Sequence, residues 1–488
     1  MGKFNKIKTA LKDKFVNNFA GGQAYKLTAK QELVAILLSS FLKDSFYEKQ
    51  DDSLKRLVKL IEKIEDKKFI AKTAIFARDK FGMRSVSHVA AGEIAKLVKG
   101  EQWTKNFFEK VVVRVDDMSE ILSYYLNSLN TNTKGKKRPI PNSLKKGFKL
   151  AFDKFDAYQL AKYRGENKDV KLVDLVNLIR PKGTEKNSEA LNLLIKDELK
   201  SFDTWETKLS QAGQKAESEE EKELLKSDAW TELIETKKIG YFALLRNLRN
   251  ILSQAPHLTD KVCELLIDEK LINKSKVLPF RFSTAISEIE KIQDFYARKI
   301  IIALNKAVDI SLKNIPKFSG KTLIALDVSG SMSGRPAEIG SLFATVLAKA
   351  NDNAEVMLFD TSARFMNINP NDSTLTIAKS LRFNGGGTDF HCIFNALRKA
   401  YDRIIILSDM QGWVGYHTPK KDFDKYKSNY KCNPFIYSFD LMGYGTSQFP
   451  EDKIFCLYGF SDKIFELMSF FEQDKNALIN EIEKTINL

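Results

Sequence analysis

Apolar residues recur at helical spacing through almost all of residues 28–307. One segment shows the spacing i, i+3, i+4 and i+7 in full: Leu54, Leu57, Val58, Ile61 and Ile64. In a helix these apolar side chains would share one buried face. The same spacing predicts helices over residues 69–81, 89–97, 119–129, 143–163, 170–179, 227–235, 241–252, 260–266 and 283–310. The first three fifths of the chain are therefore predicted to be almost entirely helical.

The first helical segment also carries a start signal. Thr28 and Gln31 stand at the spacing of a capping box, in which each side chain bonds the backbone N–H of the other residue. Because the predicted helices follow one another through short polar loops, we expect an α-solenoid in which each helix pair packs against its neighbours. No strict repeat motif is present, so this expectation depends on the order of the helices alone.

The pattern changes at residues 314–320, where a proline and a glycine end the helical region. Apolar strand-like runs then alternate with helical segments, which is typical of a doubly wound parallel sheet with a Rossmann-like fold. The predicted strands are 322–328, 355–359, 403–408, 435–439 and 453–458, and the predicted helices are 336–350, 373–381, 389–400 and 463–473. The sequence thus predicts a helical domain over residues 1–318 and an α/β domain over residues 319–488.

The charge is divided unequally between these two domains. The whole chain of 488 residues has a formal charge of +15. Residues 319–488 hold 18 Lys and Arg against 20 Asp and Glu, which leaves 60 basic and 43 acidic residues in residues 1–318. A polyanionic partner is therefore expected on the helical domain, since clustered cations release counterions from a nucleic acid.

The sequence also restricts where the protein works. It contains no apolar run long enough to cross a membrane, and its basic start lacks the apolar core of a signal peptide. We therefore expect a cytoplasmic protein with no membrane partner. The four cysteines are widely spaced and form no CxxC pair, so we expect reduced thiols: Cys263, Cys392, Cys432 and Cys456.

Three loops of the α/β domain carry oxygen donors where predicted strands end. Ligands gather at this carboxyl edge in parallel sheets, and hydroxyl and carboxylate oxygens suit a hard divalent cation such as Mg²⁺. The candidate ligands are Asp327, Ser329, Ser331, Thr388 and Asp409. Asp389 is left outside this set as a helix cap or an outer residue. Any one of these side chains alone could merely cap a helix, but three loops in this order favour a metal site.

The same residues resemble the metal-ion-dependent adhesion site of von Willebrand factor A domains, which consists of a DxSxS loop, a later Thr and a later Asp. The resemblance implies a bound cation with one coordination position open to a carboxylate or other oxygen of a partner. No catalytic role follows from such a site.

Catalytic motifs are absent from the sequence. It has no phosphate-binding loop, no HExxH and no GxSxG, and a nuclease would need a general base or second metal that is not evident. The four histidines are isolated and are interpreted as structural: His88, His257, His391 and His417. We therefore predict no catalytic residues and no enzymatic activity.

Several stretches resemble the TROVE family of Ro autoantigen proteins along nearly the whole chain. The most specific is ALLRNLRN at residues 243–250, and ALDVSGSM at 325–332 contains the metal motif. The others are NFAGGQAY (18–25), KKGF (145–148), YQLAKYR (158–164) and VDLVNLIRPK (173–182). In the last of these the chain departs from the family, because Arg180 stands where the family has a His.

The resemblance implies a particular architecture and partners. It implies a ring of HEAT-like helical repeats closed by the von Willebrand factor A domain, a monomeric protein that binds small structured noncoding Y-like RNAs on its outside. Single-stranded 3′ ends of misfolded RNAs would enter the ring, and a 3′-to-5′ exoribonuclease would be linked through the RNA. The chain would then act as a ribonucleoprotein scaffold in RNA quality control.

The residues themselves indicate where RNA would bind. Residues 134–182 hold 14 Lys and Arg against 5 acidic residues, and phosphate contacts on a helical surface are adequate for structured RNA. Arg246 and Arg249 are one helical turn apart, with Leu244, Leu245, Leu248 and Leu252 free to pack inward. The candidate RNA-binding residues are Lys134, Lys136, Lys137, Arg138, Lys145, Lys146, Lys149, Lys162, Arg164, Arg180, Lys182, Arg246 and Arg249.

Four alternatives stay open at this point. Lysine-rich helices are often solvated surfaces, Arg246 and Arg249 could pair with acids of a neighbouring helix, and the aromatic residues among the cations are spaced as a core stripe: Phe148, Phe152, Phe155 and Tyr158. The competing function is a metal-bridged protein-binding adaptor in which the helical domain is only a scaffold.

Overall fold

The computed structural model describes residues 15–17, 23–26, 28–39, 50–129, 139–165, 168–199, 209, 218–237, 239–275, 277, 279–315, 317–412, 414, 419–442, 444, 446–447, 454–458, 468 and 477–488. The chain divides into two compact units. The first consists of Met1–Phe202, Asp409–Gln411 and Ser438–Leu488, and the second of Asp203–Ser408 and Gly412–Tyr437.

The first unit is mainly helical, as the sequence predicts. Its early part contains strands β1 (Phe15–Asn17) and β2 (Gln23–Lys26), followed by helices. These are α1 (Ala29–Ser39), α2 (Gln50–Lys63), α3 (Lys67–Lys80), α4 (Ser85–Leu97), α5 (Trp103–Lys110), α6 (Val115–Leu129), α7 (Asn142–Phe152), α8 (Ala157–Lys162), α9 (Leu172–Ile179) and α10 (Ser188–Ile195). Helices α5 and α10 were not predicted from the sequence.

Neighbouring helices of this unit pack in an overlapping series. Helix α2 packs on α1 and α4, α4 packs on α3 and α6, and α5 packs on α7, which is the packing expected of an α-solenoid. The predicted capping box is present, with the Gln31 N–H 3.3 Å from the Thr28 hydroxyl and the Thr28 N–H 3.0 Å from the Gln31 side chain. In α2 the buried stripe runs through Leu57, Leu60 and Ile61.

The single helix predicted over residues 143–163 is wrong, because α7 and α8 are separate. Asp156 begins α8 with a capping box to Gln159, and the buried Asn187 amide donates to the carbonyls of Phe152 and Phe155 at 2.8 Å each. These bonds satisfy backbone acceptors that the end of α7 leaves open. The phenylalanines of the predicted core stripe are buried, whereas Tyr158 is 38% exposed.

A buried carboxylate joins helices α3, α4 and α6. Asp117 is fully buried and accepts hydrogen bonds from Arg78 at 2.9 Å and from the backbone N–H groups of Val113 and Arg114 at 3.0 and 2.9 Å. His88 Nε2 lies 2.9 Å from the same carboxylate. Although burial opposes ionisation, the hydrogen bond and charge of His88 and the charge of Arg78 hold the pKa of Asp117 well below its ordinary value.

The last part of the chain packs on the N-terminal helices within this first unit. Helix α21 (Ala477–Thr485) contacts α3, where Lys72 pairs with Glu483 at 2.7 Å. Lys110 donates to the carbonyl of Asn487 at 2.6 Å. Strand β8 (Thr446–Ser447) pairs antiparallel with β2. These contacts between residues roughly 400 positions apart were not predicted from the sequence.

The second unit begins with further helices. They are α11 (Glu219–Glu235), α12 (Tyr241–Gln254), α13 (Thr259–Leu266), α14 (Glu269–Ser275), α15 (Pro279–Ile289) and α16 (Phe295–Ser311). The single helix predicted over residues 283–310 is wrong, because Asp294 starts α16 as an N-cap, accepting from the Ala297 N–H at 2.6 Å. A side chain that caps a helix start favours a break in the chain at that point.

A sheet follows, in which five strands have the order β5-β4-β3-β6-β7. They are β3 (Thr322–Asp327), β4 (Ala354–Phe359), β5 (Ala363–Met366), β6 (Arg403–Ser408) and β7 (Phe435–Asp440). Strand β9 (Ile454–Tyr458) belongs to the first unit. Strand β3 is parallel to β4 and β6 as predicted. Strand β5 was not predicted and is antiparallel to β4, so the sheet is mixed and not wholly parallel.

The helices of this α/β part are α17 (Arg335–Ala350), α18 (Thr374–Ser380), α19 (His391–Ala396) and α20 (Lys420–Tyr430). Helix α19 is shorter than the predicted 389–400, and the helix predicted over 463–473 lies outside the described residues. Asp309 of α16 holds this part against the preceding helices, accepting from Lys349 at 3.0 Å and from the Thr374 N–H at 3.1 Å.

No helix among the described residues is long and apolar enough to cross a membrane. The cysteines whose side chains the structure describes, Cys263, Cys392 and Cys432, are free thiols, as predicted.

The Asp117 network gives a prediction for stability. Replacing Asp117 with Asn should lower the free energy of unfolding at neutral pH by about 3–5 kcal/mol, because Arg78 would keep a buried charge without its carboxylate. Since the folded pKa of Asp117 is depressed, its contribution is present above the unfolded pKa near 4 and is lost as the pH falls below that value. The difference between wild type and variant should therefore shrink in acid.

Urea unfolding of both proteins at neutral and acidic pH measures this difference. Asp153→Asn, at an exposed position just after α7, is the matched control and should leave the unfolding midpoint unchanged. Equal stability of wild type and Asp117→Asn at neutral pH would contradict the role assigned to this carboxylate.

Candidate metal centre and RNA surface

Two of the predicted metal ligands, Asp327 and Asp409, lie at the carboxyl ends of adjacent parallel strands. Leu326 of β3 is in register with Leu407 of β6, so Asp327 and Ser408 end neighbouring strands. Asp409 directly follows Ser408 in the chain. Parallel pairing brings these ends to one edge of the sheet, as the sequence predicts.

Hydrogen bonds hold the DxSxS loop in a fixed shape. One Asp327 carboxylate oxygen accepts from the Ser329 N–H at 2.9 Å, and the other accepts from the Ser408 hydroxyl at 2.5 Å. The hydroxyl oxygens of Ser329 and Ser331 lie 3.3 Å apart. The loop therefore brings one carboxylate and two hydroxyls of the candidate ligand set close together.

The glycine-rich loop that carries Thr388 lies against the DxSxS loop. The Gly330 N–H donates to the Gly386 carbonyl at 3.0 Å, and the Gly385 N–H donates to the Val328 carbonyl at 3.2 Å. Gly385 has a φ of 75°, which favours glycine, and a Cβ at Gly330 would lie 3.3 Å from the Gly385 carbonyl oxygen. The glycines thus permit the close approach of these two loops.

The donor set fits a hard divalent cation. All five candidate side chains belong to buried residues, each at most 7% exposed, and two carboxylates with three hydroxyls are oxygen ligands of the kind that Mg²⁺ takes. No cluster of three or more His, Cys, Asp or Glu suited to a metal occurs in the described part of the chain. The candidate site therefore depends on its hydroxyl ligands, and it stays a prediction.

Two acidic residues near this edge add negative charge. Asp360 follows β4 directly and is 5% exposed, and its carbonyl accepts from the Asp389 N–H at 2.8 Å. Burial raises the pKa of the Cys392 thiol, and the charges of Asp389, Asp360 and Asp327 raise it further. Asp360 was not predicted as a site residue, although its position directly after a predicted strand could have indicated it.

Asp389 directly precedes Phe390, the N-cap residue of α19, and its role as a helix cap or an outer residue stays a prediction. Its carboxylate accepts from the His391 N–H at 2.8 Å, at the start of α19. The histidines in the described residues all have structural partners: His391 lies 2.5 Å from Asp422, His88 contacts Asp117, and His257 lies 3.2 Å from the Thr231 hydroxyl. His417 lies outside the described residues.

The central cations of the predicted RNA surface lie on α7. Lys146 is exposed, while Lys145 and Lys149, one turn apart, are partly exposed. Gly147 allows α7 to approach α5 closely, since a Cβ there would lie 2.6 Å from the Lys105 carbonyl oxygen. The buried face of α7 is therefore fixed against α5. None of the three lysines forms an ion pair with another described residue.

The next cations lie on α8 and at the end of α9. Arg180 and Lys182 are exposed and form no ion pair within the described ranges. Arg180 ends α9 in the left-handed conformation, with φ 49° and ψ 63°, which is uncommon for a residue other than glycine. Lys162 is exposed and its Nζ lies 5.7 Å from the centre of the Tyr158 ring. Arg164 donates a hydrogen bond to the Leu199 carbonyl.

Other basic residues of this region serve the fold. Lys154 donates to the carbonyl of Glu109, and burial lowers its pKa. Lys168 pairs with Glu120. The predicted residues Lys134, Lys136, Lys137 and Arg138 lie outside the described residues. The local charge excess thus contains both structural cations and cations that remain available to a ligand.

Helix α12 presents Arg246 and Arg249 on its solvent face. The leucines predicted to pack inward, Leu244, Leu245, Leu248 and Leu252, are buried. Arg249 is 68% exposed and lies 4.0 Å from Glu288, whose own closest cation is Lys291. An exposed pair at this distance contributes little to stability, and Arg246 has no ion pair in the described part of the chain. Of the two arginines, only Arg249 therefore pairs with an acid of a neighbouring helix among the described residues, and that pair is weak.

Comparisons with known proteins cover both parts of the chain. The TROVE domain family matches residues 24–224 and 196–317, and the Ro60 vWA domain family matches residues 321–471. A solved structure, that of the Ro (RSR) protein of Deinococcus radiodurans, has a TM-score of 0.62 and 16% sequence identity, covering 91% of this chain and 99% of that one. This similarity confirms the predicted fold class.

Curated relatives share a more limited region. Telomerase protein component 1 of Rattus norvegicus is 21% identical over 305 residues, and that of Mus musculus is 23% identical over 309 residues. Each alignment covers 46% of this chain and 11% of the relative. The family matches, in contrast, extend over most of the sequence, from residue 24 to residue 471. The chain therefore belongs to the TROVE family.

Proposed function

We propose that this protein binds small structured noncoding RNA through the cations of α7 to α9 and acts as a ribonucleoprotein scaffold. The proposal depends on a set of cations on α7 and at the end of α9 that form no ion pair with a described residue: Lys145, Lys146, Lys149, Arg180 and Lys182. Lys168, in contrast, pairs with Glu120 and serves the fold.

The packing of these helices supports a shape-based mode of binding. Helix α9 packs on α7 and α10, and α10 packs on α8, so the cations stand on a rigid surface. A duplex or folded RNA is recognised chiefly through the spacing of its phosphates. Fixed cations would therefore select structured RNA without reading its bases.

The role in RNA quality control is the finer part of the proposal. In this role the protein would take misfolded noncoding RNA at its 3′ end and link it, through a Y-like RNA, to a 3′-to-5′ exoribonuclease. Family membership and the cations of α12 support this role. The expected ligand at Arg246 and Arg249 is the phosphate backbone of the RNA.

We further propose that Asp327, Ser329, Ser331, Thr388 and Asp409 hold one divalent cation, most simply Mg²⁺. When bound, the cation would supply a position for an oxygen atom of a partner. The hydrogen bonds of Asp327 to Ser329 and Ser408 would orient its carboxylate before the cation enters. This site would be a binding device that does not depend on the RNA surface.

The RNA proposal predicts the effect of charge reversal. Changing Lys145, Lys146 and Lys149 together to Glu should weaken binding of a structured RNA and lower the slope of log affinity against log salt. The slope should fall by roughly 0.7–0.9 for each phosphate contact that is lost. Binding isotherms at several salt concentrations measure both effects, and thermal melting checks that the variant folds.

The matched control reverses three lysines elsewhere: Lys421, Lys425 and Lys431, which are exposed in or after α20. This control changes the net charge equally and should alter RNA affinity much less. An α7 variant that melts like wild type and binds RNA with the same salt slope would overturn the proposal. Reversal of Arg246 and Arg249 tests the second surface in the same way.

The metal proposal predicts a loss of cation binding. Ser331→Ala and Thr388→Ala should each weaken binding of Mg²⁺ or Mn²⁺ by at least about tenfold, since even outer-shell changes commonly cost this much. Titration calorimetry measures the affinity. Ser333→Ala, on an exposed serine that bonds the Gly330 carbonyl at 2.8 Å, is the control and should bind normally. If both ligand variants keep wild-type affinity, the cation site is wrongly assigned, whatever the outcome for RNA.

A further inference from the structure

The first turn of α16 leaves two adjacent aromatic rings in solvent. Phe295 is 66% exposed and Tyr296 is 41% exposed. Their ring centres lie 5.8 Å apart with an angle of 70° between the planes. Ile302, two turns further along the same helix, is 58% exposed. Clustered apolar side chains with this exposure commonly mark a binding surface.

Packing fixes the direction in which this stripe points. The opposite face of α16 is buried, with Ile300, Leu304 and Val308 each 0% exposed. Asp294 caps the helix start, so the first turn is held in place. The exposure of the rings therefore follows from the orientation of a well-packed helix.

Cations lie on the same helix as the exposed rings. The Lys299 ammonium lies 5.1 Å from the centre of the Phe295 ring and 2.6 Å from an Asp260 carboxylate oxygen. Arg298 and Lys306 are exposed, and neither forms an ion pair within the part of the chain that the structure describes. The stripe therefore combines aromatic faces with two uncompensated cations.

We propose that Phe295 and Tyr296 form a stacking platform for bases of single-stranded RNA, with Arg298 and Lys306 contacting phosphates. Stacked bases on aromatic side chains, combined with cations along the backbone, are the usual chemistry of sequence-tolerant single-strand binding. The inference rests on the proposed RNA-binding function but places a separate contact on α16. The two cations favour a polyanion over an uncharged apolar protein surface.

The test uses the whole 488-residue chain and a short fluorescent oligouridylate. Changing Phe295 and Tyr296 together to Ala should weaken its binding by about tenfold for each ring removed. The salt slope should stay the same, because no phosphate contact is lost. Phe365→Ala, at a 42% exposed aromatic residue of β5, is the matched control and should bind like wild type.

Conservative variants separate stacking from general apolar contact. Replacing both residues with Trp should keep the affinity, whereas replacing both with Leu should lose it, since Leu keeps apolar area but has no π face. Wild-type affinity in the Leu variant would overturn the stacking role and point to an apolar partner. Wild-type affinity in the folded Ala variant would overturn the proposal altogether.

Structured RNA, measured in parallel, separates this failure from failure of the proposed function. A wild-type protein that binds structured RNA but not the oligonucleotide would refute the α16 platform alone. A wild-type protein that binds neither would refute the RNA-binding function on which the platform depends.

Discussion

The central position of β3 is the constraint on which the α/β part of the molecule depends. Because β3 is parallel to both β4 and β6, the carboxyl ends of three strands meet at one edge. Each end carries an aspartate: Asp327 ends β3, Asp360 follows β4, and Asp409 follows β6. Carboxylates gathered at a buried edge repel one another unless donors or a cation offset their charge.

Each of these three carboxylates accepts hydrogen bonds from residues close to it. Asp327 accepts from Ser329 and Ser408, Asp360 accepts from the Ser362 N–H at 3.0 Å, and Asp409 accepts from the Gln411 N–H at 3.1 Å. Backbone N–H groups of the turns after each strand thus hold the carboxylates in fixed orientations. Such preorganisation is what a small cation with strict geometry needs.

Charged side chains of the helical part occur in two different environments. Where a charge is buried, as at Asp117, it is surrounded by Arg78, His88 and backbone donors, and the network joins three helices. Where cations lie on the surface, as on α7, they have no ion pair to another described residue. The first arrangement stabilises the fold, and the second leaves positive charge for a polyanion. The difference lies in burial, because a buried charge is costly unless it is paired, whereas an exposed charge stays hydrated.

The sequence by itself determined the elements with strong local signals. Helical periodicity identified most helices, the capping box at Thr28 and Gln31 was found correctly, and the apolar runs identified β3, β4, β6, β7 and β9. It also predicted the DxSxS loop and the later Thr and Asp as metal ligands, because strand ends in a parallel sheet meet at one edge. These ligands and the RNA contacts remain predictions.

Only the tertiary structure decided features that depend on distant residues. The break between α7 and α8 is stabilised by Asn187, about thirty positions away, so the continuous apolar pattern of 143–163 concealed it. The docking of α21 on α3 joins helices that lie far apart in the sequence, with Lys72 and Glu483 separated by 411 positions, and no local pattern specifies such a contact. The exposure of Phe295 and Tyr296 likewise depends on which face of α16 its neighbours cover. Periodicity shows that a helix has an apolar face, but packing decides which apolar residues remain in water.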